Sequence, residues 1–364
     1  MLNKIIYKIK RIIYYYFDTF NIRGNRFIKL TESLNSQDKV IYPESDIIVG
    51  IVKEEWNMHH YYIKACQELR ISYILIDIFK NNWFTEINQL QVDFIVIRPS
   101  VQYDVWKALY DNRLKILTNS TSFKFFPSNM ALWLWESKLH TIDWLKAMNL
   151  PHPTTWIFYR KKEAVEFGAN TDFPVVYKSN SGSGASGVKI IKSKRELKKQ
   201  IKRCFSKGVR TYRKHILDKE HGFIILQEFI ENVNEWRIIR IGRYYVGYQK
   251  ERNGSFHSGS GMFSYGMPPD KCLNLVKNLT DKYGFYYVDI DVFIRPNGEI
   301  LVNEIQPYFG QKDDRELLLI DGKPGRLYYD KKWIFEEGKF CRNNMCNLRL
   351  NEMINEIKNQ KIID

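Results

Sequence analysis

From Asp46 onward, short apolar runs alternate with helical stretches: "DIIVGIV", "HHYYIKACQELR", "SYILIDIF" and "VDFIVIRP". Apolar runs of about four to eight residues fit strands buried on both faces, and their alternation with helices predicts a parallel α/β unit over residues 45–127. The segment "NMALWLWESKLHTIDWLKAM" has helical spacing from Asn129 to Met148 and stops at "NLPHP", whose prolines cannot continue a helix. Two β-rich runs follow, "FPVVYK" and "GVKII", on either side of Gly182, Gly184 and Gly187. After them come a lysine-rich helical stretch, "KRELKKQIKRCF", a strand, "GFIILQEFI", and a hairpin, "EWRIIRIGRYYVGYQKER".

A Gly/Ser stretch, "NGSFHSGSGMFSYG", separates that hairpin from a helix near Pro269–Tyr283. The last clear pattern is a second hairpin, "YYVDIDVFIRPNGEILVNEIQP", turning at "PNG". Residues 313–364 hold an aromatic, charged run, "RLYYDKKWIFEEGKF", and a short amphipathic helix, "NLRLNEMINEIKNQKI". At the other end, over residues 1–30, Ile5, Ile6, Ile9, Ile12, Ile13, Tyr16, Phe17 and Phe20 share one helical face. Lys4, Lys8, Arg11 and Asp18 lie opposite, so the run is too interrupted to span a bilayer. Residues 1–20 are expected either to make peripheral contact with an anionic membrane or to dock on the protein itself.

The chain has 364 residues, 44% of them hydrophobic, enough for two or three domains with a core. Its net charge of +15 favours anionic partners. The five scattered cysteines form no Cys-x-x-Cys pair, which predicts a reduced, cytoplasmic setting, at the inner face of the membrane if the first helix binds there. His59 and His60 are adjacent without a second cluster, so histidine-held metal is not expected.

The glycines match Gly-x-Gly-x-x-Gly, but they run into the strand signal "VKII", whereas a dinucleotide loop opens a helix. A Walker loop needs Gly-Lys-Ser/Thr, and a kinase needs His-Arg-Asp and Asp-Phe-Gly; none is present. What remains is strand, glycine loop, strand, with Lys178 just before the glycines and able to reach phosphates under the loop. Strand alternation puts Asp289 and Asp291 on one face and Glu304 and Gln306 on one face of the next strand. The hairpin then brings Asp291 beside Glu304, a pair of hard oxygen ligands suited to Mg²⁺ with substrate phosphates.

In their order, these features resemble the ATP-grasp superfamily, of the type that includes D-alanine:D-alanine ligases, glutathione synthetases and ribosomal-protein glutamate ligases. The resemblance covers about residues 130–310. It implies an α/β pre-ATP-grasp domain (45–127) followed by an α+β ATP-grasp domain (128–312), whose subdomains (150–226 and 227–312) hold ATP between them. It further implies that Lys138 and Lys178 bind phosphates, that Ser183, Gly184 and Ser186 belong to the closing loop, and that Glu228, Ile230 and Glu235 receive adenine and ribose. Asp291, Glu304 and Gln306 would hold Mg²⁺, with Lys178, Arg237 and Lys250 as catalytic cations.

Three positions depart from D-alanine ligases: Gln306 replaces the usual asparagine, Asp289 replaces an arginine, and "PYFGQKDDRE" replaces the substrate-reading loop. The expected activity is ligation of a small-molecule or glycan-linked carboxylate to an amine through an acyl phosphate, in the making of bacterial surface polysaccharides or peptides. Transfer of phosphate to a hydroxyl is the nearest alternative. A basic nucleic-acid-binding protein is a third, weakened by the paired acidic strands and the lack of a recognisable binding motif, so no specific nucleic acid is expected.

Overall fold

A computed structural model describes residues 38–54, 58–99, 104–182, 184–185, 187–210, 218–252, 261–308 and 315–361, with Ile6 and Ile9, both helical and exposed. The rest of the amphipathic helix expected over residues 1–30 lies outside the described residues, as do Ser183, Ser186, most of the Gly/Ser stretch and residues 309–314. No helix among the described residues is long and apolar enough to cross a membrane.

The first sheet contains β1 (Lys39–Val40), β2 (Ile48–Val52), β3 (Ser72–Ile76), β4 (Phe94–Val96) and β5 (Phe125–Phe126), in the order β1-β3-β2-β4-β5. All neighbours except the antiparallel β1 are parallel, and helices α1 (His60–Leu69), α2 (Trp83–Asn88) and α3 (Asp104–Ser120) make the crossovers. Such strands are covered on both faces, which is why they read as unbroken apolar runs: Val49, Ile51, Phe94 and Ile95 have no exposure.

The expected helix from Asn129 to Met148 is two helices, α4 (Asn129–Leu134) and α5 (Lys138–Ala147). Trp135 is extended, and Glu136 has a left-handed backbone (φ 53°). Ser137 caps α5 by accepting the His140 N–H, and such a local side-chain bond competes with helix continuation. The break sets Lys138 at the first turn of α5 and turns Glu136 toward the glycine loop.

The second sheet is antiparallel: β6 (Thr155–Phe158), β7 (Val175–Lys178), β8 (Val188–Ile191) and β9 (Ile224–Glu228), ordered β6-β9-β7-β8. Helices α6 (Lys161–Asn170) and α7 (Lys194–Cys204) accompany it. Leu197, Ile201 and Cys204 of α7 are buried in the small core beneath this sheet, while its lysines point outward. Each fully buried leucine or isoleucine contributes about 1.5–3 kcal/mol, so this face holds the lysine-rich helix in place.

The third sheet runs β14-β13-β10-β11-β16-β15, with β12 on β11 and β17 on β16. Its strands are β10 (Asn234–Ile241), β11 (Tyr244–Lys250), β12 (Phe263–Ser264), β13 (Tyr287–Ile294), β14 (Ile300–Gln306), β15 (Leu319–Ile320), β16 (Lys323–Asp330) and β17 (Lys332–Glu337). Helix α8 (Asp270–Tyr283) precedes β13, and α9 (Cys346–Lys361) ends the described chain against α1. The stretch after β14 is therefore built into the molecule. Tyr308 donates to the Ile97 carbonyl at 2.6 Å, and buried Arg349 donates to the Pro307 carbonyl at 3.3 Å. The α/β sheet followed by two antiparallel sheets matches the expected α/β and α+β fold class.

Candidate active site

The second and third sheets are joined through residues 229–233, and the side chains singled out by the sequence converge between them. Lys178, Glu228, Ile230 and Glu235 line one slot, whose walls are largely apolar, with Val176, Val188, Phe229 and Phe293 among them. Asn303 of β14 closes the slot, and its Oδ1 accepts a hydrogen bond from Lys178 Nζ at 2.9 Å.

Asn303 is a residue that alternation misses. Asp291 pairs with Glu304 across β13 and β14, yet the next pair is Val292 with Val302, so β14 carries one extra residue at Asn303. Such a bulge breaks the strict inside-outside rhythm, and here Asn303 and Glu304 both meet lysines of the opposite wall. No signal in the sequence marks its position.

The glycine loop has the backbone its composition foretells. Gly182 and Gly184 have φ of 119° and 60°, the left-handed region that glycine enters without a Cβ penalty. Its base is pinned by carboxylates. Glu220 accepts the N–H groups of Asn180 (2.7 Å) and Ser181 (2.9 Å) and the Ser181 hydroxyl (3.0 Å), while Glu136 accepts the Gly182 N–H at 3.1 Å. Three consecutive amides are thus already bonded to carboxylates. Sequence reasoning missed both glutamates, and only the neighbourhood of Glu136 to Lys138 hinted at one of them.

Lys138 links this loop to the third sheet. Its Nζ donates to the Gly182 carbonyl at 3.1 Å and lies 3.4 Å from Glu304 Oε1. Burial works against the Lys138 charge, but Glu304 and Glu136 outweigh it and hold its pKa above the ordinary lysine value. Lys178 shifts the other way: burial, reinforced by the positive charge of Lys138, brings it down to about 8.

On the third sheet, Arg237 faces Asp291 across β10 and β13. The guanidinium grips that carboxylate with two parallel bonds, Nε to Oδ1 at 2.8 Å and Nη2 to Oδ2 at 2.9 Å. Its Nε is also 3.1 Å from Asp289 Oδ2. Lys250 donates to Glu235 at 2.6 Å and to Asp291 Oδ2. Burial favours a neutral Asp291, yet Arg237 and Lys250 prevail and keep it ionised well below the usual carboxylate range. Asp289 lacks comparable support: burial and neighbouring Asp291 raise it, Arg237 opposing, and its Oδ1 is buried with no hydrogen-bond partner.

Glu228 lines the slot, but its Oε1 already accepts the Thr154 N–H at 2.7 Å and an Arg295 bond at 2.5 Å. Its carboxylate braces the two sheets. Gln306 sits opposite Asp289 in the register, beside the Asp291–Glu304 pair. Gly184 lies in the loop as expected, while Ser183 and Ser186 lie outside the described residues.

The donor set suits a hard divalent cation. Asp291 and Glu304 are register partners, and Asp289 keeps a buried oxygen without a donor. Among the described residues no three His, Cys, Asp or Glu side chains converge closely enough to hold a metal unaided. A cation there would complete its shell with ligand phosphates, the usual habit of magnesium.

No family model matches the chain. It is similar to the α-aminoadipate–LysW ligase LysX of Sulfolobus acidocaldarius, with 22% identity over 246 residues, 63% of this chain and 82% of that protein. Among solved structures it resembles the ADP complex of purK, an N5-carboxyaminoimidazole ribonucleotide synthetase, with a TM-score of 0.51 at 13% identity, covering 76% of this chain and 73% of that one. The biotin carboxylase domain of Hydrogenobacter thermophilus 2-oxoglutarate carboxylase, solved with MgADP, gives a TM-score of 0.51 at 14% identity over 76% of this chain and 66% of that one. The chain thus shares the fold of these nucleotide-bound enzymes, in keeping with the resemblance of its sequence to the ATP-grasp superfamily.

Proposed function

We propose that this protein is an ATP-dependent ligase that joins a carboxylate to an amine. The observation that carries the reading is the pair of lysines crossing the cleft: Lys178 to Asn303 and Lys138 to Glu304, each from the glycine-loop side to the hairpin carrying Asp291. The apolar slot beside them is the place for adenine, with the backbone near Ile230 meeting its edge and Glu235 the ribose. The name of the Sulfolobus relative, a ligase acting on an α-amino acid, supports ligation over other ATP-grasp chemistry.

A carboxylate is a poor acylating agent at neutral pH because its oxygen is a poor leaving group. Passing the γ-phosphoryl group of ATP to that oxygen gives an acyl phosphate, whose phosphate leaves when an amine attacks carbonyl carbon. Catalysis of this kind is mainly positioning and charge neutralisation. Lys138 and Lys178 would hold the phosphates, with Arg237 and Lys250 near the transferred group. Asp291 and Glu304, with Gln306 beside them, would hold Mg²⁺, which neutralises charge on the phosphates when bound. The loop amides beyond Gly182 would cover the triphosphate, since those from Asn180 to Gly182 are held by Glu220 and Glu136.

For the setting, we propose surface polysaccharide or peptide biosynthesis with a small-molecule or glycan-linked acid, on the strength of the +15 charge and the basic N-terminal segment. Release of ADP from ATP with pooled carboxylic acids and amines, followed by mass spectrometry, tests the reaction. Product formation that requires both pools supports ligation; phosphate on a hydroxyl compound without amine would replace it by phosphotransfer.

A further inference from the structure

We propose that Arg237 and Lys250 close the metal site to free divalent cations, so that metal enters only together with nucleotide phosphates. The inference rests on the reading of Asp291 and Glu304 as the metal carboxylates. Asp291 receives both arms of the Arg237 fork, at 2.8 and 2.9 Å, and the Lys250 ammonium as well. An ionised carboxylate has about four acceptor directions, so three N–H donors leave little for a metal. Its side chain is 1% exposed, so it cannot turn toward solvent to meet one.

The same guanidinium reaches Asp289 at 3.1 Å. One Arg237 therefore spans two carboxylates of β13, the role a divalent cation would otherwise take. Lys250 ties Asp291 to Glu235 in the same way. A metal ion arriving alone would have to displace two cations from Asp291 and leave them beside it with only Asp289 and Glu235 to hold them, within a site too buried for water to screen the repulsion. Triphosphate changes this balance. Its oxygens offer Arg237 and Lys250 new partners, and each cation that moves to phosphate frees an Asp291 oxygen for metal. Metal and nucleotide then strengthen each other's binding by the same factor, as linkage requires.

Mn²⁺ is the probe, titrated onto the full-length chain and followed by the electron paramagnetic resonance signal of the free ion. Wild type is expected to take up no Mn²⁺ below millimolar concentration alone, and one ion at least about 10-fold more tightly with ADP present. Arg237→Met and Lys250→Met should each bind Mn²⁺ alone about 10-fold more tightly than wild type, and adding Glu304→Gln should remove the gain. With ADP shown to be bound and Mn²⁺ uptake by ADP itself subtracted, equal Mn²⁺ affinity of wild type with and without ADP overturns the proposal, as does failure of both folded variants to gain affinity. Should neither variant fold, the wild-type coupling decides. If ADP does not bind at all while the variants gain Mn²⁺, the nucleotide reading fails and the closed metal site stands.

Discussion

Lys178 and Asn303 belong to different sheets, yet the lysine Nζ stands 2.9 Å from the asparagine Oδ1 in the lining of one slot. The bond fixes where the ammonium sits before any nucleotide arrives. A hydrogen bond to a charged group is worth about 1.5–3 kcal/mol. Asn303→Leu should therefore weaken MgADP binding by about 10-fold or more in isothermal titration calorimetry, while the circular dichroism spectrum stays that of the wild type. Unchanged affinity would mean that Asn303 does not position Lys178.

Lys178 should also set the upper pH limit of nucleotide binding. Burial and Lys138 lower it to about 8, so in the free protein the ammonium is lost as pH rises through that value. ADP affinity should then fall by up to about 10-fold per pH unit above 8. Stability should respond in the opposite sense: between about 8 and the ordinary lysine value the unfolded chain binds the extra proton, so this group favours folding as pH rises. A flat affinity profile from pH 7 to 9.5 would contradict the assignment of Lys178 to phosphate.

Asp289 predicts a pH effect on the fold itself. Its folded pKa lies above the ordinary 3.8, raised by burial first and by Asp291 second, so the native state holds its proton longer than the unfolded chain. Stability contributed by this group is present at low pH and lost as pH rises through the folded value, about 7. Asp289→Asn removes that loss. The melting temperature of the variant relative to wild type should climb from pH 5 to pH 8, and a constant difference would refute the idea.

Glu220 anchors the glycine loop through two backbone amides and one hydroxyl. Glu220→Ala leaves those donors without their partner, at a cost of about 1–3 kcal/mol. The expected result is a lower melting temperature together with faster hydrogen exchange of the Asn180 and Ser181 amides. Loss of stability with protection unchanged at these two amides would place the effect elsewhere.

Lys138 couples the loop to the metal wall through Gly182 and Glu304. MgADP at 100 times its dissociation constant stabilises a binding protein by about 2.7 kcal/mol, a readily measured rise in melting temperature. Lys138→Met should abolish most of that rise while leaving the free protein folded, because Lys138 is only one of several groups facing Glu304. A full rise in the variant would remove Lys138 from the phosphate site.

The periodicities carried much of this architecture. Unbroken apolar runs separate the buried parallel strands from the alternating hairpin strands, because a strand covered on two faces has no polar face to show. The rhythm also put Asp289 with Asp291 and Glu304 with Gln306, since strand side chains repeat every two residues, but the register that starts at the "PNG" turn would set Asp291 opposite Asn303, and the bulge moves it to Glu304. It failed where local geometry interrupts a period. The helix expected over 129–148 breaks at Glu136, and the bulge at Asn303 brings a side chain to the cleft that alternation sends away.

By itself, the sequence determined the elements, their order, and which residue types share a face, because these follow from nearest-neighbour sterics and from the burial pattern along one segment. Only the tertiary structure decided who pairs with whom across the cleft: Lys178 with Asn303, Lys138 with Glu304, Arg237 and Lys250 with Asp291, and Glu220 with the loop amides. Lys178 and Asn303 alone stand 125 residues apart. Charges of opposite sign are abundant in the chain, and which of them meet depends on how two sheets close over one buried site, which no periodicity encodes.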